Sequence, residues 1–76
     1  MPHVIIKLYA GKSEQQKSKL AEEVTKAVMV GAQCGEHSVS VSIEDIDPSD
    51  WTEQVYKPDI LGHPDTLFKK PGYNPL

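Results

Sequence analysis

The residue best suited to acid–base chemistry is Pro2, which directly follows Met1. Removal of Met1 would leave a secondary amine on a rigid ring as the N-terminus of the chain. An ordinary α-amine has a pKa of about 7.7–8.0, and burial beside a positive charge lowers that pKa because both disfavour the ammonium form. A free Pro2 amine could therefore serve as a general base, although most prolines near chain starts have no chemical role. If Met1 is retained, the Pro2 nitrogen is a tertiary amide and has no lone pair to offer.

The composition limits the ways in which so short a chain can be stabilised. A chain of 76 residues buries only about 60–65% of its unfolded surface and is marginally stable on its own. The single Cys34 excludes an internal disulfide, and one cysteine with three scattered histidines gives no metal-ligand spacing. Oligomerisation is therefore the remaining way to stabilise a chain of this size.

Charge and hydropathy narrow the choice of partners. A net charge of −3 and a pI near 5.5 argue against nucleic acid as the main partner. No apolar run approaches the ~18 residues that span a membrane, and no signal-peptide pattern opens the chain. With one unpaired thiol, which is compatible with a reducing compartment, we expect a soluble cytoplasmic protein.

The hydrophobic pattern predicts a βαβ unit of the α/β or α+β class. Pro2 to Tyr9 and Ser38 to Glu44 alternate as strands do, and Leu20, Val24, Ala27 and Val28 form an apolar stripe on a helix expected over residues 14–33. Ser13 with Gln16 matches a capping box at the helix start. A crossover helix of this length makes the two strands parallel.

Two strands and one helix cannot cover both faces of a sheet or protect both of its edges. A second copy that pairs edge to edge would give a four-stranded sheet carrying two helices. We expect one domain over residues 1–76, with the βαβ core at 2–51 and a C-terminal extension at 52–76. In the extension, Pro64 suggests a short helix over residues 65–70.

Several short motifs, in this order and spacing, resemble the 4-oxalocrotonate tautomerase family. They are Pro2, the turn 11–13, the helix start 14–17, Trp51 and the Lys-Lys-Pro-Gly-Tyr run at 69–73. The resemblance covers essentially the whole chain. The C-terminal extension is similar to that of a dimeric bacterial branch of the family, so a dimer is favoured over a hexamer.

The resemblance implies a cofactor-independent isomerase that converts a small enol or 2-hydroxydienoate acid to its keto form. Pro2 would be the catalytic base and acid, and Lys12 would bind the substrate carboxylate where the founding member has an arginine. Trp51 would form an apolar wall of the pocket. Ser40 stands where the founding member has a second arginine, which favours a monocarboxylic substrate. In the family, pockets form near subunit boundaries, so these residues can come from different chains.

Two other interpretations stay open at this point. A cationic Pro2 could serve as an acid beside a water activated by a carboxylate, as in dehalogenases and hydratases, with Asp50 or Glu44 as that carboxylate. Alternatively, the chain is a dimeric binding module in which Pro2 has no chemical role. Each of the four site residues also has an ordinary structural explanation: a chain-start proline, a turn lysine, a strand serine and a packed tryptophan.

Overall fold

The computed structural model describes residues 1–76 and contains two parallel strands joined by a long helix. Strand β1 covers His3–Tyr9, helix α1 covers Glu14–Gly31 and strand β2 covers Ser40–Ile46. The register runs from His3 beside Ser40 to Tyr9 beside Ile46. The predicted βαβ unit is confirmed. None of its helices has the length and apolar character needed to cross a bilayer.

The capping box at the start of α1 is present as predicted. The Gln16 N–H donates to Ser13 Oγ at 3.1 Å, and the Ser13 N–H donates to Gln16 Oε1 at 2.9 Å. The helix ends two residues earlier than expected, and β2 is shifted by two residues towards the C-terminus. The shift arises because residues 36–38 form a 3₁₀ turn, in which the Ser38 hydroxyl donates to the Gly35 carbonyl at 2.9 Å.

Helix α1 covers one face of the sheet. Leu20 lies in a cleft with Leu8 of β1, and Ala21 lies with Val41 and Ile43 of β2. An ion pair completes this contact, because the Lys17 ammonium lies 2.8 Å from Asp45 Oδ2 on β2. The Lys17 side chain is only 14% exposed. Hydrogen bonds to Asp45 and, second, to Glu14 raise the pKa of Lys17 and keep it charged.

The other face of the sheet, which we call the open face, is only partly covered. On β1 it carries His3, Ile5, Lys7 and Tyr9, and Ile5 remains 58% exposed. The C-terminal extension reaches this face through a Lys7–Asp59 ion pair, and Trp51, directly before the extension, contacts Tyr9. The hydrogen bond that the Lys7 ammonium donates to the Asp59 carboxylate is the main cause of the raised pKa of Lys7.

The extension contains a helical segment that the sequence did not predict. Thr52–Leu61 winds as a π-helix, whose wider turn has no 3.6-residue period and accommodates Pro58. A Cβ atom at Gly62 would lie 2.3 Å from the Pro58 carbonyl oxygen, so glycine is required where the segment ends. The short helix predicted over residues 65–70 was wrong: only a 3₁₀ turn, Pro64–Thr66, is present there.

The protomer exposes an unusually large surface for its mass. Its accessible surface is 5744 Å², whereas a folded monomer of this mass is expected to expose about 4,600 Å². The chain forms a slab of 39 × 32 × 18 Å. Val55 and Tyr56 are its two buried residues, and neither is fully removed from solvent. Much of its apolar side-chain surface therefore has no cover within a single chain.

Candidate active site

Pro2 and Ser40 lie together at the end of the sheet where both strands begin. The Ser40 N–H donates to the Pro2 carbonyl at 3.2 Å, and Ser40 Oγ lies 2.7 Å from His3 Nδ1. Pro2 is half-buried, while Met1 before it is fully exposed. The backbone of Pro2 is therefore fixed by β2, and the bond that links it to Met1 is accessible.

Lys12 and Trp51 lie at the opposite end of the sheet. Lys12 follows β1 after a turn in which Gly11 adopts φ +128°, a conformation that favours glycine. It lines a cleft of about 180 Å³ beside Leu8 and Gln16. Since a seven-residue strand is roughly 20 Å long, Lys12 is far from Pro2 of the same chain. One protomer thus has Pro2 and Ser40 at one end of the sheet and Lys12 and Trp51 at the other, where Lys12 and Trp51 line different clefts.

A capped turn connects β2 to Trp51. The Asp47 carboxylate accepts hydrogen bonds from the Ser49 N–H at 2.9 Å and from the Ser49 hydroxyl at 2.8 Å. These two bonds lower the pKa of Asp47, the backbone bond being the larger cause. The turn Pro48–Asp50 places Trp51 at the end of β1, where its ring contacts Tyr9.

Trp51 belongs to an aromatic cluster that the sequence did not reveal. Its ring meets that of Tyr9 edge to face, with centroids 5.2 Å apart and planes at 81°. Its indole N–H donates to the Tyr73 hydroxyl at 2.8 Å. Tyr9, Trp51 and Tyr73 together line a cleft of about 200 Å³. Trp51, predicted as a pocket wall, lines this cleft, whereas Tyr73 stands out in the sequence only as the end of the run 69–73.

The two carboxylates considered for a water-activating role also lie away from Pro2. Glu44 is on the open face, next to Lys7 in the strand register, and contributes to the raised pKa of Lys7. Asp50 is exposed in the turn just before Trp51. The largest surface depression, about 600 Å³, lies on the solvent side of α1 and has no apolar side chain in its lining.

The fold and these residues define a class of protein. The sequence model of the tautomerase enzyme family matches residues 2–55, from Pro2 through both strands to the start of the π-helix. The chain belongs to the tautomerase family, and its function is that of an isomerase.

Individual relatives agree with this assignment. The chain is 40% identical over all its 76 residues to a probable tautomerase of Xylella fastidiosa, covering 93% of that protein. It is 36% identical to tautomerase PptA of Cronobacter sakazakii, covering 96% of this chain and 97% of that one.

Among solved structures, a 4-oxalocrotonate tautomerase isozyme of Methylibium petroleiphilum aligns with a TM-score of 0.63 and 34% identity. That alignment covers 66% of this chain and 81% of the isozyme chain. TomN, a 4-oxalocrotonate tautomerase homologue in the tomaymycin biosynthetic pathway, aligns with the same TM-score at 28% identity.

Proposed function

We propose that the protein is a cofactor-independent tautomerase of small enol or 2-hydroxydienoate monocarboxylates, with Pro2 as general base and acid. The observation that carries this proposal is the position of Pro2, half-buried at the start of β1 with its carbonyl bonded to β2. The Met1–Pro2 bond is accessible, so processing can free a secondary amine at a fixed place.

We propose further that each site is assembled from two protomers. Pro2 precedes β1 and Lys12 follows it, so the two residues lie at opposite ends of one strand. A two-fold axis through the middle of β1 would place Pro2 of one protomer beside Lys12 and Trp51 of its partner. Such an isologous pairing creates two identical sites in a dimer.

The backbone of β1 supports one register for this pairing. Ser40 donates to the Pro2 carbonyl and the Ala10 N–H donates to Ile46, so the even-numbered residues of β1 bond to β2. The N–H and C=O groups of His3, Ile5, Lys7 and Tyr9 therefore point to the free edge. Antiparallel pairing that uses all four places Ile5 opposite Lys7 of the partner and Pro2 opposite Ala10.

The surface area of the protomer supports an assembly of this size. The excess over a compact monomer is about 1,100 Å², and a stable interface covers about 800 Å² on each partner. Exposed Ile5 and Tyr9 lie on the strand that would pair. A dimer is the smallest assembly that meets this need, and a hexamer would need further use of the open face.

The proposed chemistry is a balanced transfer of one proton. Lys12 binds the substrate carboxylate as a point charge, which a lysine does without bidentate geometry. The neutral Pro2 amine removes the proton of the 2-hydroxyl group, and the electron pair moves through the conjugated carbons. The Pro2 ammonium then returns the proton to the distal carbon, so the amine is regenerated. Trp51 supplies an apolar wall that favours the neutral amine.

Ser40 supports the preference for one carboxylate. It lies beside Pro2, and its hydroxyl is already within 2.7 Å of His3. A neutral serine does not compensate a second carboxylate as an arginine would. We expect a substrate with two carboxylates to react more slowly than one with a single carboxylate.

Replacement of Pro2 tests the proposal. Processed Pro2→Ala should ketonise 2-hydroxy-2,4-pentadienoate with a kcat lowered by about 100-fold, because general acid–base catalysis contributes on the order of 10²–10⁴. His3→Ala is the control, since it alters the neighbouring residue without touching the amine. In the wild-type protein, kcat/KM should rise with pH as Pro2 loses its proton. A rate that instead falls as Pro2 deprotonates would favour the acid mechanism and reject this one.

A further inference from the structure

We propose that the Tyr73 hydroxyl is a hydrogen-bond donor to the substrate in this site and binds the oxygen at carbon 2. This inference rests on the proposed function. The Tyr73 hydroxyl would supply the hydrogen bond that polarises the substrate oxygen, which Ser40 does not supply. Three observations carry it: the bond from Trp51, the anchoring of the Tyr73 ring and the cleft on which the hydroxyl borders.

The bond to Trp51 fixes the role of the Tyr73 oxygen. An indole N–H can only donate, so at 2.8 Å the Tyr73 oxygen must accept. The phenolic proton is then directed away from Trp51 and remains available to another acceptor. A hydroxyl that accepts one hydrogen bond is polarised and becomes a stronger donor in the next.

The Tyr73 ring is held in place although its side chain is partly exposed. Its centroid lies 5.8 Å from that of Tyr56, which is buried. The Trp51 ring, in turn, packs edge to face with the Tyr9 ring. The hydroxyl therefore belongs to a side chain that is packed into the aromatic cluster, although residue 73 lies close to the end of the 76-residue sequence.

The cleft beside this hydroxyl suits a small organic acid. Tyr9, Trp51 and Tyr73 line about 200 Å³, which is less than the ~300 Å³ at the lower end of typical ligand pockets. The cleft has three aromatic walls and one neutral donor, and Lys12 at the same end of the sheet lines a separate cleft beside Leu8. Lys12 would take the carboxylate, and Tyr73 would take the oxygen on which negative charge develops when the 2-hydroxyl proton leaves.

Tyr73→Phe tests this role, with Tyr56→Phe as a matched control. Each variant removes one hydroxyl from the same aromatic cluster, but only Tyr73 bonds Trp51. For 2-hydroxy-2,4-pentadienoate, Tyr73→Phe should lower kcat by about 10- to 100-fold with a small change in KM, because the donor acts on charge formed in the transition state. Tyr56→Phe should keep the wild-type kcat.

Two spectroscopic readouts separate a substrate contact from a structural effect. Trp51 is the only tryptophan, so its fluorescence reports directly on loss of the Tyr73 acceptor. In the wild-type protein, the ring ¹³C signal of Tyr73 should shift when pyruvate, a monocarboxylate with an oxygen at carbon 2, is added to saturation, and that of Tyr56 should not. This measurement remains informative even if Tyr73→Phe fails to fold.

The outcomes distinguish this inference from the proposed function. If Tyr73→Phe keeps full kcat, or if saturating pyruvate leaves the Tyr73 signal unchanged, Tyr73 does not contact the substrate. Pro2→Ala would still be about 100-fold slower than the wild type in that case, and the tautomerase mechanism would stand. If Pro2→Ala is fully active, the proposed function fails and the role of Tyr73 fails with it.

Discussion

Mixing two impaired variants should restore activity if, as we propose, each site takes Pro2 from one protomer and Lys12 from the other. Pro2→Ala dimers lack the base in both sites. Lys12→Ala dimers lack the carboxylate-binding cation in both, which should cost about 10- to 100-fold since hydrogen bonds to charged groups contribute roughly 1.5–3 kcal/mol. Each variant alone should therefore keep at most about a tenth of the wild-type rate.

The expected recovery follows from the two-fold symmetry. After unfolding and refolding together in equal amounts, about half of the dimers are mixed, and each mixed dimer holds one intact site and one site lacking both groups. The mixture should therefore reach about one quarter of the wild-type activity. The value follows from the arrangement alone and does not depend on the size of either defect, provided that both are severe.

The assay is ketonisation of 2-hydroxy-2,4-pentadienoate before and after co-refolding, with each variant refolded alone as the control. A site contained within one chain would show no recovery, because every chain then carries a defective site. Activity of the mixture equal to the average of the two separate variants would refute the shared site. It would also leave the roughly 20 Å strand between Pro2 and Lys12 without an explanation.

Two further predictions concern the pairing edge and the turn before Trp51. Ile5→Pro removes an N–H at the free edge of β1 and should give a monomer by light scattering, whereas Ile5→Ala removes the same exposed side chain but should stay dimeric; a dimeric Ile5→Pro would rule out the β1 pairing. The pKa of Asp47 is lowered by its bonds to Ser49, so its stabilising effect is fully present above the ordinary aspartate pKa and is lost as pH falls through the lowered value. The urea midpoint of Asp47→Ala should therefore lie below that of the wild type at neutral pH and approach it in acid, and a gap that is unchanged in acid would contradict this role.

The βαβ core was predictable because local signals and the global fold agree. The alternation of the strands and the Ser13–Gln16 capping box each specify one element, and a crossover between them leaves one topology. The ends of β2 were less predictable, since Ser38 fits a strand pattern but its hydroxyl instead closes a turn with Gly35. In the sequence Lys17 resembles a solvated helix lysine, yet its ammonium group donates a hydrogen bond to Asp45 on β2. These two residues are 28 positions apart in the sequence.

The candidate site was predictable only in its parts. Residue types and family resemblance pointed to Pro2, Lys12 and Trp51, but no sequence pattern measures the distance between the two ends of one strand. The hydrogen bond between Trp51 and Tyr73 joins residues 22 positions apart. The π-helix between them lacks the 3.6-residue period by which an α-helix is predicted from sequence. A sequence therefore suggests which groups do the chemistry, and the fold decides which of them meet.

The central claim is that a free Pro2 amine performs the proton transfer. Its most direct test compares kcat/KM of the processed protein with that of the same protein carrying Met1, after intact-mass measurement of each sample. We expect the processed form to ketonise 2-hydroxy-2,4-pentadienoate. The form with Met1, whose Pro2 nitrogen is an amide, should be slower by about 100-fold or more. Equal rates for the two forms would contradict it.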